Sequence, residues 1–125
     1  QRSEYLKNWQ QQLQNKEVVY LLAEEDEKII GLAAGRVRED GVGILGFLGV
    51  RKEHRKTGMG SALLKTFLEE VRKRKAHKVW LFTSPALLPA IRLYVEEGFV
   101  PEGYMRHHSY GLDLIIYSKF LAEHR

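Results

Sequence analysis

The chain has 125 residues, of which 44% are hydrophobic, and this composition is sufficient for one hydrophobic core. The length predicts a single domain over residues 1–125 and excludes a two-domain dehydrogenase, a kinase or an eight-stranded barrel. Lysine and arginine exceed aspartate and glutamate by 20 to 16, so the net charge of +4 permits an anionic ligand without indicating one.

Cysteine is absent, which excludes a disulfide, a thiolate metal site and a cysteine nucleophile. No stretch approaches the ~18 consecutive apolar residues of a membrane span. No charged-then-apolar leader opens the chain. These features predict a soluble, cytoplasmic protein without membrane contact. The first residue is Gln1 rather than methionine, which is typical of an N-terminally truncated chain.

The first third of the chain predicts one helix followed by two paired strands. Helical spacing over residues 3–14 places the large apolar side chains on one stripe. These side chains are Tyr5, Leu6, Trp9 and Leu13. A β-branched and aromatic run over residues 18–23 predicts a strand, an acidic turn follows at residues 24–27, and Lys28–Val37 predicts the second strand. A short turn between two strands favours antiparallel pairing.

A glycine-rich strand follows a strong hairpin signal. Asp40-Gly41 is typical of a tight hairpin turn, because glycine tolerates a positive φ. The next run, Val42–Val50, is apolar except for a glycine at every third position. Glycines in a strand indicate a bulge, a close approach by another backbone, or simply tightly packed neighbours. The strand alone does not separate these interpretations.

The remaining sequence predicts two helices and three strands. The helices cover residues 61–75 and 89–97, and the strands cover residues 79–82, 99–100 and 112–117. The first helix ends in four basic residues, 72–75, which interact favourably with the helix dipole. A nucleic-acid patch is the weaker interpretation, since no aromatic residues interleave with these charges.

The segment Arg55-Lys56-Thr57-Gly58-Met59-Gly60 joins the glycine-rich strand to the longer helix. The first N–H groups of a helix have no helical partner, and the helix dipole adds positive charge there. Two glycines let a ligand touch the backbone, and Ser61 adds a hydroxyl at the helix start. The segment therefore predicts a site for an anion such as a pyrophosphate. Neither a P-loop nor a dinucleotide fingerprint fits, because the spacing and Leu63 exclude them.

Two motifs in this order resemble the GNAT superfamily of acyl-CoA-dependent N-acetyltransferases. The pattern R-x-x-G-x-G-x-x-L-L over residues 55–64 is similar to the family's pyrophosphate-binding motif. The pattern A-x-x-L-Y-x-x-x-G-F over residues 90–99 is similar to its second cofactor motif. The resemblance covers most of the chain, and the two motifs together are far more specific than either alone.

The resemblance implies an α/β (α+β) fold with a mixed, mostly antiparallel central sheet that splays into a V and is flanked by helices. It also implies acetyl-CoA as the co-substrate, with the backbone of one strand end pairing with the pantetheine amides like an added strand. The implied cofactor-binding residues are Leu48, Gly49 and Val50 on the strand, and Arg55, Lys56, Thr57, Gly58, Met59, Gly60 and Ser61 at the helix start.

For catalysis, the resemblance implies direct attack of an amine on the thioester within a ternary complex, without a covalent enzyme intermediate. Tyr94 matches the family's usual general acid. Its unperturbed pKa of about 10 keeps the phenol protonated at neutral pH. A half-buried packing role is the alternative interpretation of this residue. The partners implied are acetyl-CoA and an amine acceptor, with no nucleic acid.

The general base stays unassigned. Many relatives carry a glutamate on one of the two central strands, but Val42–Val50 has no acid and Phe82 stands where some relatives have glutamate. His107, His108 and Asp113 are candidates, acting directly or through water, and each is alternatively an ordinary turn or strand residue. No histidine and acid show metal-ligand spacing, so no metal is predicted.

Other departures from the family pattern concern the cofactor motif and the N-terminus. Leu87 replaces an asparagine that commonly contacts the cofactor, and Pro89 tightens the following helix start. The family's usual first strand and helix are not evident, so part of the substrate wall is expected to be missing. The strand at residues 18–23 would then have an unpaired edge, which predicts a homodimer.

Two function classes follow from these observations. The first is an acetyl-CoA-dependent N-acetyltransferase acting on a primary amine of a small molecule, a protein N-terminus or a lysine. The second is an acyl-CoA-binding sensor or partner module that has lost catalysis, which the missing base and Leu87 favour slightly.

Overall fold

The computed structural model describes residues 6–8 and 17–121, which form a seven-stranded sheet and two α-helices. The strands are β1 (Leu6–Asn8), β2 (Val18–Glu25), β3 (Lys28–Val37), β4 (Val42–Val50), β5 (Lys78–Thr83), β6 (Val100–Met105) and β7 (Leu114–Phe120). The helices are α1 (Met59–Lys73) and α2 (Leu88–Glu96), and short 3₁₀ turns occur at Lys52–His54 and Ser109–Gly111. Neither α-helix of this part of the chain has the length and apolar character needed to cross a membrane.

The sheet order is β1-β2-β3-β4-β5-β7-β6, and β4 with β5 is its one parallel pair among the described strands. A parallel pair needs a crossover connection, which α1 provides between β4 and β5. The predicted mixed, mostly antiparallel sheet flanked by helices is therefore confirmed. The predicted strand and helix bounds hold within a few residues, except at the N-terminus and for β6.

Residues 6–8 form a strand where the apolar spacing predicts a helix. This strand pairs antiparallel with residues 21–23 of β2. The helical prediction is wrong for these three residues, and the rest of the predicted helix at 3–14 lies outside the described residues. Apolar periodicity reports only local spacing, whereas the unpaired N–H and C=O groups of a sheet edge can pair with a segment from elsewhere in the chain. The expected unpaired edge is likewise wrong for residues 21–23.

Tight turns connect the first hairpins of the sheet. Strand β2 ends at Glu25 and so extends two residues into the predicted acidic turn. The turn itself consists of Asp26 and Glu27, which adopt left-handed conformations with φ of 53° and 64°. Gly41 has a φ of 89°, and the Arg38 N–H donates to the Val42 carbonyl at 2.9 Å. These turns confirm both predicted hairpins and hold β2, β3 and β4 in one continuous antiparallel block.

Helix α1 packs across one face of this block and forms the core with it. The helix buries Met59, Leu63, Leu64, Phe67, Leu68 and Val71, and the sheet contributes side chains such as Val19, Leu21, Ala33, Val79 and Leu81. Phe67 comes so close to β3 that only glycine fits opposite it. A Cβ on Gly35 would lie 2.6 Å from Phe67 Cζ and 2.1 Å from the Ile44 carbonyl oxygen. The seating of α1 on the sheet thus depends on Gly35.

Strands β4 and β5 separate soon after they begin. Their pairing covers three residue pairs and ends at Ile44 with Trp80. On its other edge, β4 carries a bulge, because Leu45 and Phe47 oppose consecutive residues of β3 and leave Gly46 without an opposing residue. The outer parts of β4 and β5 therefore part like the arms of a V, as the family resemblance implied.

Replacing Gly35 with alanine is expected to destabilise the fold, since the new Cβ would clash with the backbone of β4 as well as with Phe67. Overpacking of this kind costs about 1–3 kcal/mol in the free energy of unfolding. Urea unfolding followed by circular dichroism measures the loss. Gly46→Ala is the matched control, because its Cβ would meet only the Ala34 carbonyl oxygen at 3.6 Å. Equal urea midpoints for the two variants would contradict this account of α1 packing.

Candidate functional site

A groove of about 440 Å³ lies between the end of β4, the start of α1 and one face of α2. Its walls are mostly apolar, and two cations stand at one end. The lining residues are Leu48, Gly49, Val50, Arg55, Lys56, Gly60, Pro89, Ala90, Leu93 and Tyr94. The groove thus joins both sequence motifs, which are separated by about 30 residues along the chain.

The cationic end of the groove is the N-terminus of α1. Gly58 caps the helix with a φ of 85°, in the left-handed region that favours glycine. The Ala62 N–H donates to the Gly58 carbonyl at 3.0 Å, so the amides of residues 59–61 precede the first helical hydrogen bond. The positive end of the helix dipole adds to the charge of Lys56, which itself has a φ of 64°. This end of the groove suits an anion.

Side-chain hydrogen bonds hold the connection between β4 and α1 in place. Arg55 Nε donates to the Val50 carbonyl at 3.0 Å, which ties the guanidinium to the end of β4. Thr57 Oγ1 donates to the His54 carbonyl at 2.5 Å. Arg55 therefore presents its charge at the groove from a fixed position rather than from a freely moving side chain.

A second cavity of about 290 Å³ fills the opening between β4 and β5. It is lined by Leu45, Gly46, Phe47, Leu48, Leu81, Phe82, Thr83, Ser84, Leu87, Ala90, Tyr94 and Leu114, and it is called the cleft below. Leu48, Ala90 and Tyr94 line both the cleft and the groove. A long ligand can therefore lie with one end at the α1 N-terminus and the other between the splayed strands.

Tyr94 stands where the groove meets the cleft. Its side chain is buried, with 8% exposure, and its ring packs 5.9 Å from that of Phe99. Burial raises the pKa of Tyr94 above its usual value of 10.0. The hydroxyl has no hydrogen-bond partner among the described residues. It is nevertheless not a fully buried, unpaired polar atom, because the one such side-chain atom in the described part of the chain is His54 Nδ1. The Tyr94 hydroxyl therefore keeps contact with the open space, as a protonated donor.

The sequence-predicted cofactor residues divide into two groups. Six line the groove, namely Leu48, Gly49, Val50, Arg55, Lys56 and Gly60. Thr57 and Gly58 are exposed in the turn before α1, and Met59 is buried in the core. Ser61, expected to offer a hydroxyl, instead accepts a hydrogen bond at 3.3 Å from Lys65. The residues of this second group do not line the groove.

The three candidate bases lie at the turn between β6 and β7 and do not line the cleft. Asp113 accepts the His107 N–H at 2.9 Å and the Tyr104 hydroxyl at 3.0 Å, so both of its oxygens are occupied. These two bonds, led by the His107 amide, lower the pKa of Asp113. A lowered pKa makes the carboxylate a weaker base. Asp113 therefore orders this turn, and its geometry does not favour a role in proton removal.

The structure adds lining residues that the sequence reasoning did not select as site residues. Ala90 lies one helical turn before Tyr94, Leu93 directly precedes Tyr94 in the chain, and both face the groove. The i, i+3 and i+4 spacing of these three residues indicates one shared helix face. Phe47 and Phe82 enter the cleft from its two arms, which no local pattern marks. Within residues 6–8 and 17–121, no three histidine, aspartate or glutamate side chains cluster in a way that could hold a metal ion.

Gly60 allows a test of the groove that separates ligand binding from folding. A Cβ on Gly60 would meet Leu93 at 3.6 Å and Val50 at 4.0 Å, which are ordinary contacts, but it would project into the groove. Gly60→Ala is therefore expected to keep the melting temperature and to weaken binding of coenzyme A at least tenfold, or about 1.4 kcal/mol. Calorimetric titration with coenzyme A measures the effect, with Thr66→Ala on the same helix as control. Unchanged affinity would show that this groove does not hold the coenzyme.

Comparison with known proteins agrees with this geometry. A family model described as the Acetyltransferase (GNAT) family matches residues 1–99. Among solved structures, an acetyltransferase of the GNAT family from Streptococcus pneumoniae is 25% identical, with a TM-score of 0.78 over 90% of this chain and 71% of that one.

Two further structures share the architecture. The ribosomal-protein-alanine N-acetyltransferase from Brucella melitensis is 25% identical, with a TM-score of 0.77 over 90% of this chain and 75% of that one. The ribosomal-protein-S18-alanine N-acetyltransferase from Escherichia coli is 24% identical, with a TM-score of 0.80 over 90% of this chain and 74% of that one. At that identity the likeness to the Escherichia coli protein shows the fold alone.

Proposed function

Since this chain belongs to the GNAT family of acetyltransferases, we propose that it transfers an acetyl group from acetyl-CoA to a primary amine. The observation that carries this proposal is the continuous path from the cationic start of α1, along the end of β4, into the cleft between β4 and β5. Its change from charged to apolar walls suits a coenzyme with a diphosphate at one end and a thioester at the other.

In the proposed complex, the diphosphate lies on the backbone amides of residues 56–60, beside the charges of Arg55 and Lys56. Helix N-termini bind phosphates because several N–H groups and the dipole converge there. The pantetheine arm then follows Leu48, Gly49 and Val50, where the splay from β5 leaves strand backbone on one edge without a neighbouring strand. Peptide-like amides add to such an edge as an extra strand. Thr57, Gly58, Met59 and Ser61 would contribute through their backbone.

The chemistry requires little beyond this positioning. The amine nitrogen attacks the thioester carbonyl carbon, a C–N bond forms, and the C–S bond breaks. Holding the two reactants at attack distance removes several kcal/mol of the barrier. Tyr94 is the proposed general acid that protonates the departing sulfur, since its raised pKa keeps the phenol protonated. Attack occurs directly, and no acetylated enzyme forms.

Replacing Tyr94 with phenylalanine tests this role. The variant removes a hydroxyl that has no hydrogen-bond partner among the described residues, so the fold should be kept. The rate of acetyl transfer is expected to fall by about 10²–10⁴, the usual contribution of general acid catalysis. Release of free coenzyme A thiol from acetyl-CoA, measured with a panel of amines and peptides, reports the rate. An equal kcat for both proteins would contradict the assignment.

The same assay measures the pH dependence. The acid acts while it is protonated, and the raised pKa of Tyr94 moves its deprotonation above pH 10. The loss of the parent rate that comes from this group should therefore have its midpoint above pH 10, where an ordinary phenol has it. A decline that disappears in Tyr94→Phe and has its midpoint below pH 10 would contradict the direction of the shift.

A non-catalytic acyl-CoA-binding module is the second candidate. It is favoured by the absence of any carboxylate or histidine among the residues that line the cleft. Both candidates predict that coenzyme A raises the melting temperature, because a ligand that binds only the folded state stabilises it. Acceptor-dependent thiol release separates them, since the binding module would show none with any amine.

A homodimer and a cytoplasmic location stay predictions. The pairing of β1 with residues 21–23 removes part of the open edge from which the dimer was argued. Light scattering at high protein concentration tests the dimer, and a stable monomer would contradict it.

A further inference from the structure

Two exposed aromatic side chains flank the cleft on the sheet face away from α1. Phe47 of β4 is 54% exposed and Phe82 of β5 is 49% exposed. Phe47 opposes Ala34, whose neighbour Ala33 is buried under α1, and directly opposed residues share a sheet face. Phe82 alternates with buried neighbours on β5 and so points away from the core. One aromatic ring therefore stands on each arm of the V.

Neighbouring residues fix the positions of these rings. A Cβ on Gly49 would lie 2.8 Å from Phe47 Cζ, so the Phe47 ring rests over that glycine. The Phe82 ring packs against Trp80 with centroids 6.1 Å apart. Tyr94 reaches the cleft from α2 and belongs to the core formed with α1. The rings of Phe47 and Phe82, called the aromatic mouth below, thus stand on the side of the thioester position opposite to the proposed acid. The aromatic mouth is therefore the entrance left for the acceptor.

The described residues that line this entrance offer no negative charge to a protonated amine. Tyr94 is the one ionisable residue among those that line the cleft. The adjoining cavity beside Phe47 brings Arg51 and Arg55, both cationic. Among the described residues, a protonated amine therefore finds two arginines in the neighbouring cavity and neither a counter-ion nor a base in the lining of the cleft.

The carboxylates on neighbouring described elements lie or are engaged elsewhere, and Asp113, which precedes Leu114 of the cleft, accepts the two hydrogen bonds of the β6–β7 turn. Glu25, Asp26 and Glu53 line a separate cavity beyond Arg51, where Glu25 pairs with His54 at 2.9 Å. On β6, Glu102 pairs with Lys78 at 3.0 Å, and hydrogen bonds from Ser118 and Lys78 lower its pKa.

We propose that the acceptor is the α-amine of a peptide that begins with a large apolar residue, rather than a lysine side chain or a polyamine. The inference rests on the proposed transferase function and specifies its substrate class. An α-amine has a pKa of about 7.7–8.0 and a lysine amine one of about 10.4, so at pH 7.5 the neutral fraction of the α-amine is roughly 200 times larger. The apolar first side chain packs on Phe47 and Phe82. The neutral nitrogen then forms the amide and gives up one proton to solvent, while Tyr94 protonates the departing sulfur so that coenzyme A leaves as the thiol. Tyr94 regains its proton from solvent, and no net proton is released.

The test uses the peptide amide Phe-Gly-Lys-Gly, which offers both amines in one molecule, and locates the acetyl group by mass spectrometry. Two matched peptides serve as controls: an N-formyl form that leaves only the lysine amine, and Ser-Gly-Lys-Gly, which lacks the apolar first residue. We expect α-amine acetylation at least a hundredfold faster than lysine acetylation. The rate should rise with pH and reach half of its plateau value near the pKa of the peptide α-amine, about 8.

Two substitutions of Phe82 test the aromatic mouth by KM and by the choice of amine, neither of which would change in the predicted direction if Phe82 had only a structural role. Phe82→Ala should raise KM for the phenylalanyl peptide about tenfold, which corresponds to about 1.4 kcal/mol, and should change KM for acetyl-CoA less, because the proposed diphosphate site lies at the other end of the path. Phe82→Glu places a carboxylate at the entrance and should raise lysine acetylation of the N-formyl peptide at least tenfold.

Three results would overturn the inference while the transferase function stands. They are faster acetylation of lysine, equal use of the seryl peptide with no effect of Phe82→Ala, and transfer to small amines with none to peptides. Absence of acceptor-dependent thiol release with every amine, despite binding of coenzyme A, would instead overturn the proposed function, and this inference with it.

Discussion

The separation of β4 from β5 after three paired residues is the constraint on which the site depends. Backbone N–H and C=O groups inside a fold are nearly always paired, so strands that part in the middle of a sheet must leave groups for another partner. The bulge at Gly46 bends β4 at the same level and supports the parting. The cleft that results is a fixed opening in the sheet, and Leu45 and Leu81 on its arms belong to the buried core.

Chain connectivity then places the anion-binding end next to this opening. The chain leaves β4 at Val50, makes a short 3₁₀ turn and enters α1 at Met59, so the helix begins beside the strand end. Arg55 links the two by its hydrogen bond to the Val50 carbonyl. Helix α2 closes the groove from the other side and brings Tyr94 to the junction with the cleft. One parallel crossover therefore brings the cationic start of α1 next to the cleft between β4 and β5.

Much of this arrangement is readable from the sequence, because its signals are local. The hairpin at Asp40-Gly41, the helix after residues 55–60 and the shared face of Ala90, Leu93 and Tyr94 follow from turn chemistry and spacing. The features that escaped prediction depend on distant partners. Residues 6–8 form a strand because the edge of β2 recruits them, and the Ser61 hydroxyl is engaged by Lys65. The aromatic mouth escaped prediction because the sheet face that Phe47 and Phe82 share follows only from the register of their two strands.

A crystal structure of the protein with bound coenzyme A tests the central claim most directly. The account predicts the diphosphate on the amides of residues 56–60, the pantetheine arm along residues 48–50, and the thiol within hydrogen-bonding distance of the Tyr94 hydroxyl. A coenzyme bound outside this path, or β4 and β5 paired along their full length in the complex, would contradict it.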